Sequence, residues 1–171
     1  MSIEYITDIV GKDIEFIEEH LENDPDGFWA RTLIKTVGSY LESELYLLKL
    51  ETLGHCKKNN IVITPEIELF LANKKFELGN NGRLKERLLQ SRVRDEVKFI
   101  FEQICILKGH ELTVSFDSDG WNKLITTIEV RNRLTHPKSI DDLQVSKKEI
   151  EESDVALEWF ANNVIGFFRQ C

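Results

Sequence analysis

The chain has 171 residues, 42% of them hydrophobic and 30% charged, with a formal net charge of −8. That size suits a single domain, 1–171, with a real buried core, and no apolar run approaches the roughly 20 residues of a membrane-spanning helix, which excludes a membrane partner of that kind. The acidic opening MSIEYITDIVGKDIEF has neither a basic leader nor an apolar one, and Cys56, Cys105 and Cys171 are odd in number, far apart and without C-x-x-C spacing; a cytoplasmic protein with reduced thiols, no zinc site and no cofactor is expected.

In chain order, residues 3–22 carry Ile3, Ile6, Ile9 or Val10, Ile14, Ile17 and Leu21 at spacings of three and four, predicting an amphipathic helix that NDPDG at 23–27 ends. Residues 26–53 form a broad apolar stripe through Phe28, Trp29, Leu33, Ile34, Val37, Leu41, Leu45 and Leu48, and Gly54 with the polar run after it is the expected stop. Thr64-Pro65-Glu66 has the pattern of an N-cap followed by proline at the first helical position, so a short helix to about Lys75 follows. FELGNNG at 76–82 is turn-forming and can pair with Ile61–Glu66 as a small hairpin.

The helical pattern resumes over 84–108, through Leu84, Leu88, Leu89, Val93, Val97, Ile100, Phe101, Ile104 and Leu107, and closes at Lys108-Gly109. Ser118-Asp119 caps a helix from Gly120 to His136, and Ser146-Lys147-Lys148-Glu149 matches a capping box opening a last helix through Val155, Trp159, Val164 and Phe167. The fold class expected is therefore all-α, an up-and-down bundle of four to five main helices with a small hairpin insertion. Trp29, Trp121, Trp159, Phe101 and Phe168 read as core or interface packing, not as base-stacking platforms.

The acidity is concentrated. Residues 1–26 hold nine carboxylates against Lys12 alone, so the remainder is net neutral. Within that remainder Arg83, Lys85, Arg87, Arg92, Arg94 and Lys98 make one basic stretch, expected to be a solvated helix face, and Arg131, Arg133 and Lys138 make another.

Arg131-Asn132-Arg133-Leu134-Thr135-His136-Pro137 places an arginine, an asparagine and a histidine on the last turns of a helix that Pro137 stops. Guanidinium binds phosphate bidentately at any pH, and imidazole exchanges protons near neutrality. As ordinary surface residues, Arg131 can pair with Glu129 or Asp142, and a histidine at a helix C-terminus is favoured by the dipole whatever its role. Those accounts explain each residue singly and leave their joint placement unexplained. On a regular helix Asn132 and His136 are neighbours, while Arg131 lies about 140° around from His136. One copy alone need not close a site, and two-fold dimers are the commonest oligomer.

With this motif the chain resembles the HEPN family, whose signature is Arg, four to six residues, then His, with a polar residue such as Asn after the Arg; Arg131, Asn132 and His136 satisfy it. A softer likeness lies in RTLIKTVGSYLESELYLLK at 31–49, where Arg31 and Glu42 hold places corresponding to an arginine and a glutamate of many members. The resemblance implies a metal-independent endoribonuclease that cleaves RNA by 2′-OH transesterification at a composite site between two copies. His136 would move the proton, Arg131 would neutralise the charge growing on phosphorus, Asn132 would orient either, and Glu42 and Arg31 would assist. Toxin–antitoxin or antiviral settings, with an antitoxin or regulatory protein as a further partner, go with single-domain members. The competing reading is a non-catalytic helical dimer that binds a protein or nucleotide. A DNA reader is disfavoured, because no basic recognition helix follows a tight turn.

Overall fold

The computed structural model describes the backbone of residues 3–89, 91–109 and 111–169, and side chains from 8 to 164 within those spans. The expectations placed on the side chains of Ile3, Ile6, Phe167 and Phe168 and on Cys171 lie outside the described residues. The protein is an all-α helical bundle with a small two-stranded insertion: α1 (Ile3–Glu18), α2 (Phe28–Lys58), α3 (Pro65–Leu71), β1 (Lys74–Leu78), β2 (Leu84–Leu88), α4 (Val93–Lys108), α5 (Asp119–Thr135) and α6 (Lys147–Arg169), with one-turn 3-10 segments at Leu21–Asn23 and Asp141–Leu143. No described helix is long and apolar enough to cross a membrane.

The chain groups into two compact units, one from residues 1–44 with 114–171 and the other from 45–113, so the boundary falls within α2. In the first unit, Ile14 and Ile17 of α1, Leu33, Ile34, Val37 and Leu41 of α2, Trp121, Leu124, Val130 and Leu134 of α5, and Ala156 and Phe160 of α6 are buried. Asp24 starts α2 by accepting the Ala30 N–H at 2.9 Å. Burial pushes its carboxyl up, but the N–H groups of Ala30, Trp29 and Phe28 outweigh that and hold it below the usual carboxylate range. The serine cap of α5 forms as its sequence predicts, with Ser118 Oγ accepting the Trp121 N–H at 3.2 Å. α5 lies against α6, where a Cβ on Gly120 would stand 2.4 Å from the Trp159 ring, so only glycine fits. Lys123–Glu152 and Arg133–Glu149, each at 2.8 Å, tie the same two helices. Glu149 also completes the capping box by accepting the Ser146 N–H at 2.8 Å.

In the second unit the core joins Leu45, Leu48, Leu53 and Cys56 of α2 to Leu71 of α3 and to Val97, Ile100, Phe101, Ile104 and Cys105 of α4. Lys49 is 1% exposed. Its ammonium pairs with Glu96, donates to Asn73 Oδ1 at 3.0 Å and sits 5.1 Å from the Phe70 ring centroid, which satisfies a charge that could not otherwise be buried. Cys56 and Cys105 are buried free thiols, and burial raises both their pKa values.

The departures from the sequence reading are local and physically accountable. The first helix stops at Glu18 instead of running to 22, with a 3-10 turn taking up Leu21–Asn23. α2 continues through Gly54 to Lys58, because Cys56 is buried on the far side of the expected stop. α3 ends at Leu71 instead of near Lys75, since Asn73 takes a left-handed φ of 57° and turns the chain into β1. The hairpin pairs β1 with β2 and not with Ile61–Glu66, in antiparallel register from Lys74↔Leu88 to Leu78↔Leu84. The next helix therefore starts at Val93 and not at 84, and Arg83, Lys85 and Arg87 belong to the hairpin rather than to a helix face. Trp121 and Phe101 are buried as predicted, while Trp29 is half-buried in a ring cluster with Phe16 and Phe28.

Candidate functional site

α5 carries the motif to its own C-terminal end. Val130 and Leu134 face the core with Ile34, which fixes the rotation of the helix and leaves Asn132 and His136 on its exposed side. His136 is the C-cap residue, and its N–H donates to the Asn132 carbonyl at 3.0 Å, one of the last bonds of the helix. Pro137 has no N–H with which to continue it. Asp142 then takes the next two donors, with Oδ2 accepting from the Lys138 N–H at 2.7 Å and the Ser139 N–H at 2.9 Å. Those two bonds hold the Asp142 carboxyl below its ordinary value. The loop after His136 is thereby pinned, and Asp142 is spoken for by backbone instead of by Arg131.

Arg131 turns the other way, across α2. An added Cβ on Gly38 would lie 2.7 Å from Arg131 Cγ and 3.4 Å from Cδ and Nε, so the arginine stem runs over a surface that only glycine leaves open. One helical turn further along α2, Glu42 Oε2 accepts from Arg131 Nη2 at 2.9 Å, and Nη1 donates to Asn132 Oδ1 at 3.2 Å. Thr135 Oγ donates to the Arg131 carbonyl at 2.8 Å, covering a main-chain acceptor of the last turn. The guanidinium is thus oriented by one carboxylate and one amide while its side chain stays 25% exposed. With five N–H donors on the group and two engaged in these bonds, donors remain for an incoming oxyanion.

The sequence-predicted residues accordingly divide. Arg131, Asn132 and Glu42 form one hydrogen-bonded cluster, with His136 at the adjoining helix end. Arg31 is not part of it: its Nη1 donates to the Asp26 carbonyl at 2.8 Å in the first turn of α2, and eleven residues of helical rise, about 16 Å, separate it from Glu42. Gly38 belongs to no motif in the sequence, since its importance arises from a side chain 93 positions later. The i, i+4 spacing of Gly38 and Glu42, clearance followed by charge, is the only local trace of it. Among the described residues no group of three or more His, Cys, Asp or Glu side chains could hold a metal ion. Two shallow concavities lie along the hairpin, one lined by Glu77, Lys85 and Arg87 and the other by Lys75, Glu86 and Leu88, and neither involves the Arg131 cluster.

No protein-family model, curated protein or solved structure matches the chain. The functional reading therefore rests on the chemistry of this cluster and on the motif.

Proposed function

We propose that the chain is a metal-independent, HEPN-type endoribonuclease acting in the cytoplasm as a toxin or antiviral component, with the cleaving site completed by a second copy. The observation that carries this reading is the cluster at the end of α5, where the Arg131 guanidinium is held between Glu42 and Asn132 and His136, five residues on, is exposed at the terminus of the same helix. In the reaction, neutral His136 removes the 2′-OH proton, the 2′-oxygen forms a bond to phosphorus and the P–O5′ bond breaks. A protonated histidine from the other copy gives its proton to the departing 5′-oxygen. The products are a 2′,3′-cyclic phosphate and a free 5′-OH, and the reaction needs RNA's 2′-hydroxyl. Arg131 neutralises the charge that builds on the non-bridging oxygens, and Asn132 and Glu42 keep it in position.

The test is purified protein with RNA at neutral pH in EDTA. Wild type cleaves and leaves 2′,3′-cyclic ends, while Arg131→Ala and His136→Ala, each folded by circular dichroism, lose at least about 100-fold in rate. Undiminished cleavage by both variants refutes the assignment. One observation favours a second reading, a non-catalytic helical dimer that binds a protein or nucleotide: Glu42 already neutralises Arg131 and opposes a phosphate there. Intact RNA together with stoichiometric capture of one specific partner, such as an antitoxin, would select that reading.

A further inference from the structure

The hairpin is two-faced. Its register puts Lys74, Phe76, Leu78, Leu84, Glu86 and Leu88 on one side and Lys75, Glu77, Lys85 and Arg87 on the other. The ion pairs respect that division, with Lys74–Glu86 at 3.1 Å on the first face and Lys75–Glu77 at 2.8 Å and Arg87–Glu77 at 3.8 Å on the second. The first face is apolar and uncovered: Phe76, Leu78, Leu84 and Leu88 are 50%, 73%, 72% and 74% exposed. A two-stranded hairpin is marginal in water without cover, and the four side chains present on the order of 500 Å² of apolar surface, the upper part of the range that monomers display in one patch.

We propose that this face is a dimer contact, in which the apolar side of one hairpin packs on the same side of the hairpin of a second copy about a two-fold axis. Three features select a second copy as the occupant. Two such patches joined bury about 1,000 Å², the level at which a specific interface begins. The apolar face carries one positive and one negative charge, so under a two-fold operation Lys74 of each copy can meet Glu86 of the other and the patch is complementary to itself. The opposite face, with three cations against one carboxylate, repels its own duplicate, which leaves the apolar side as the side of the hairpin on which a second hairpin can pack. This contact is independent of whether the Arg131 cluster cleaves RNA.

Sedimentation equilibrium of the full chain from micromolar to submillimolar concentration tests it. Wild type is a dimer whose constant is unchanged or tighter at high salt, because net charges of −8 per copy are then screened. Leu78→Glu with Leu84→Glu weakens dimerisation at least about 100-fold, and Lys85→Gln on the opposite face leaves it unchanged. The decisive arm is a mixing experiment that requires only folded chains. Lys74→Glu and Glu86→Lys proteins each associate poorly alone and form a mixed dimer when combined, since each then meets the opposite charge. A monomeric wild type, a dimer indifferent to the leucine changes, or no recovery on mixing overturns the proposal. So does salt-weakened retention on RNA that hairpin variants abolish while the dimer constant stays fixed, which would make the hairpin a nucleic-acid arm instead.

Discussion

Gly38→Ala probes the clearance on which the Arg131 cluster depends. Gly38 lies in the interior of α2, so alanine there gains about 1 kcal/mol of helix propensity. Against this, the new methyl would stand 2.7 Å from Arg131 Cγ. Carbon atoms prefer about 3.5–4.0 Å, and relieving such an overlap in a packed region costs about 1–3 kcal/mol. The net expectation is a loss of about 0–2 kcal/mol, a fall in Tm of no more than about 8 °C for a chain of this size. Cγ is the second carbon of the stem, so the guanidinium swings with it and leaves Glu42 and Asn132. A displacement of about 1 Å of a group that stabilises a transition state costs about 100-fold in rate, so cleavage should collapse while the fold survives. Gly54→Ala is the control, since a Cβ there meets nothing within 4 Å on the same helix and should deliver the propensity gain alone. Thermal melts of both variants beside the RNA assay decide the matter. A Gly38→Ala protein as stabilised as Gly54→Ala, and as active as wild type, would refute the close approach.

Glu42→Ala should move Tm by no more than a few degrees, because the pair it breaks is 25% and 44% exposed and such pairs contribute about 1 kcal/mol or less; RNA cleavage should drop sharply, and the reverse pattern would make Glu42 purely structural. Lys49→Met leaves the Glu96 carboxylate and Asn73 without their cation in the second unit and should cost about 3 kcal/mol or more in urea unfolding, with Glu96→Leu added to it restoring much of the loss. A single variant as stable as wild type would show that the pair is not what holds α2 to α4. The Lys123–Glu152 link predicts a pH dependence at both extremes. The hydrogen bond from Lys123 lowers Glu152 below its ordinary 4.5, against burial, and the same bond raises Lys123 above 10.5. Glu152 therefore stabilises fully above about pH 4.5 and loses its contribution as pH falls through its depressed value, while Lys123 stabilises below about pH 10.5 and loses its contribution as pH rises through its elevated one. Tm measured against pH should show both declines, and Glu152→Gln should flatten both; an unchanged acid limb in that variant would remove the pair from the account.

Where the chain announces its own local geometry, sequence and structure agree. Thr64-Pro65, Ser118, the Ser146/Glu149 box and left-handed Gly109 each act through neighbours three or four residues away, and each cap or turn forms as read. The disagreements arise where distant burial outvotes local signals. Gly54 looks like a helix end, but Cys56 has a core to enter. Leu84 and Leu88 stand at helical i, i+4 spacing and equally at i, i+4 in a strand, where both fall on one face, so periodicity could not separate the two readings over five residues. At the site, Arg131, Asn132 and His136 stand out as a motif and the family resemblance points to Glu42, whereas the clearance at Gly38 has no signal of its own, since it depends on a side chain remote in sequence.

The cluster's two halves are 89 residues apart along the chain, with the whole second unit threaded between them. At a translation speed of about 5–20 residues per second, the ribosome adds Arg131 roughly 4–18 s after Glu42, and α6, against which α5 lies, is made later still. A growing polypeptide thus carries an incomplete site until α5 has been made and can fold back on α2. Under the nuclease reading, translation order itself delays any attack on RNA, including the message and ribosome from which the protein is emerging, and gives a neutralising partner made beforehand time to be present when the site closes.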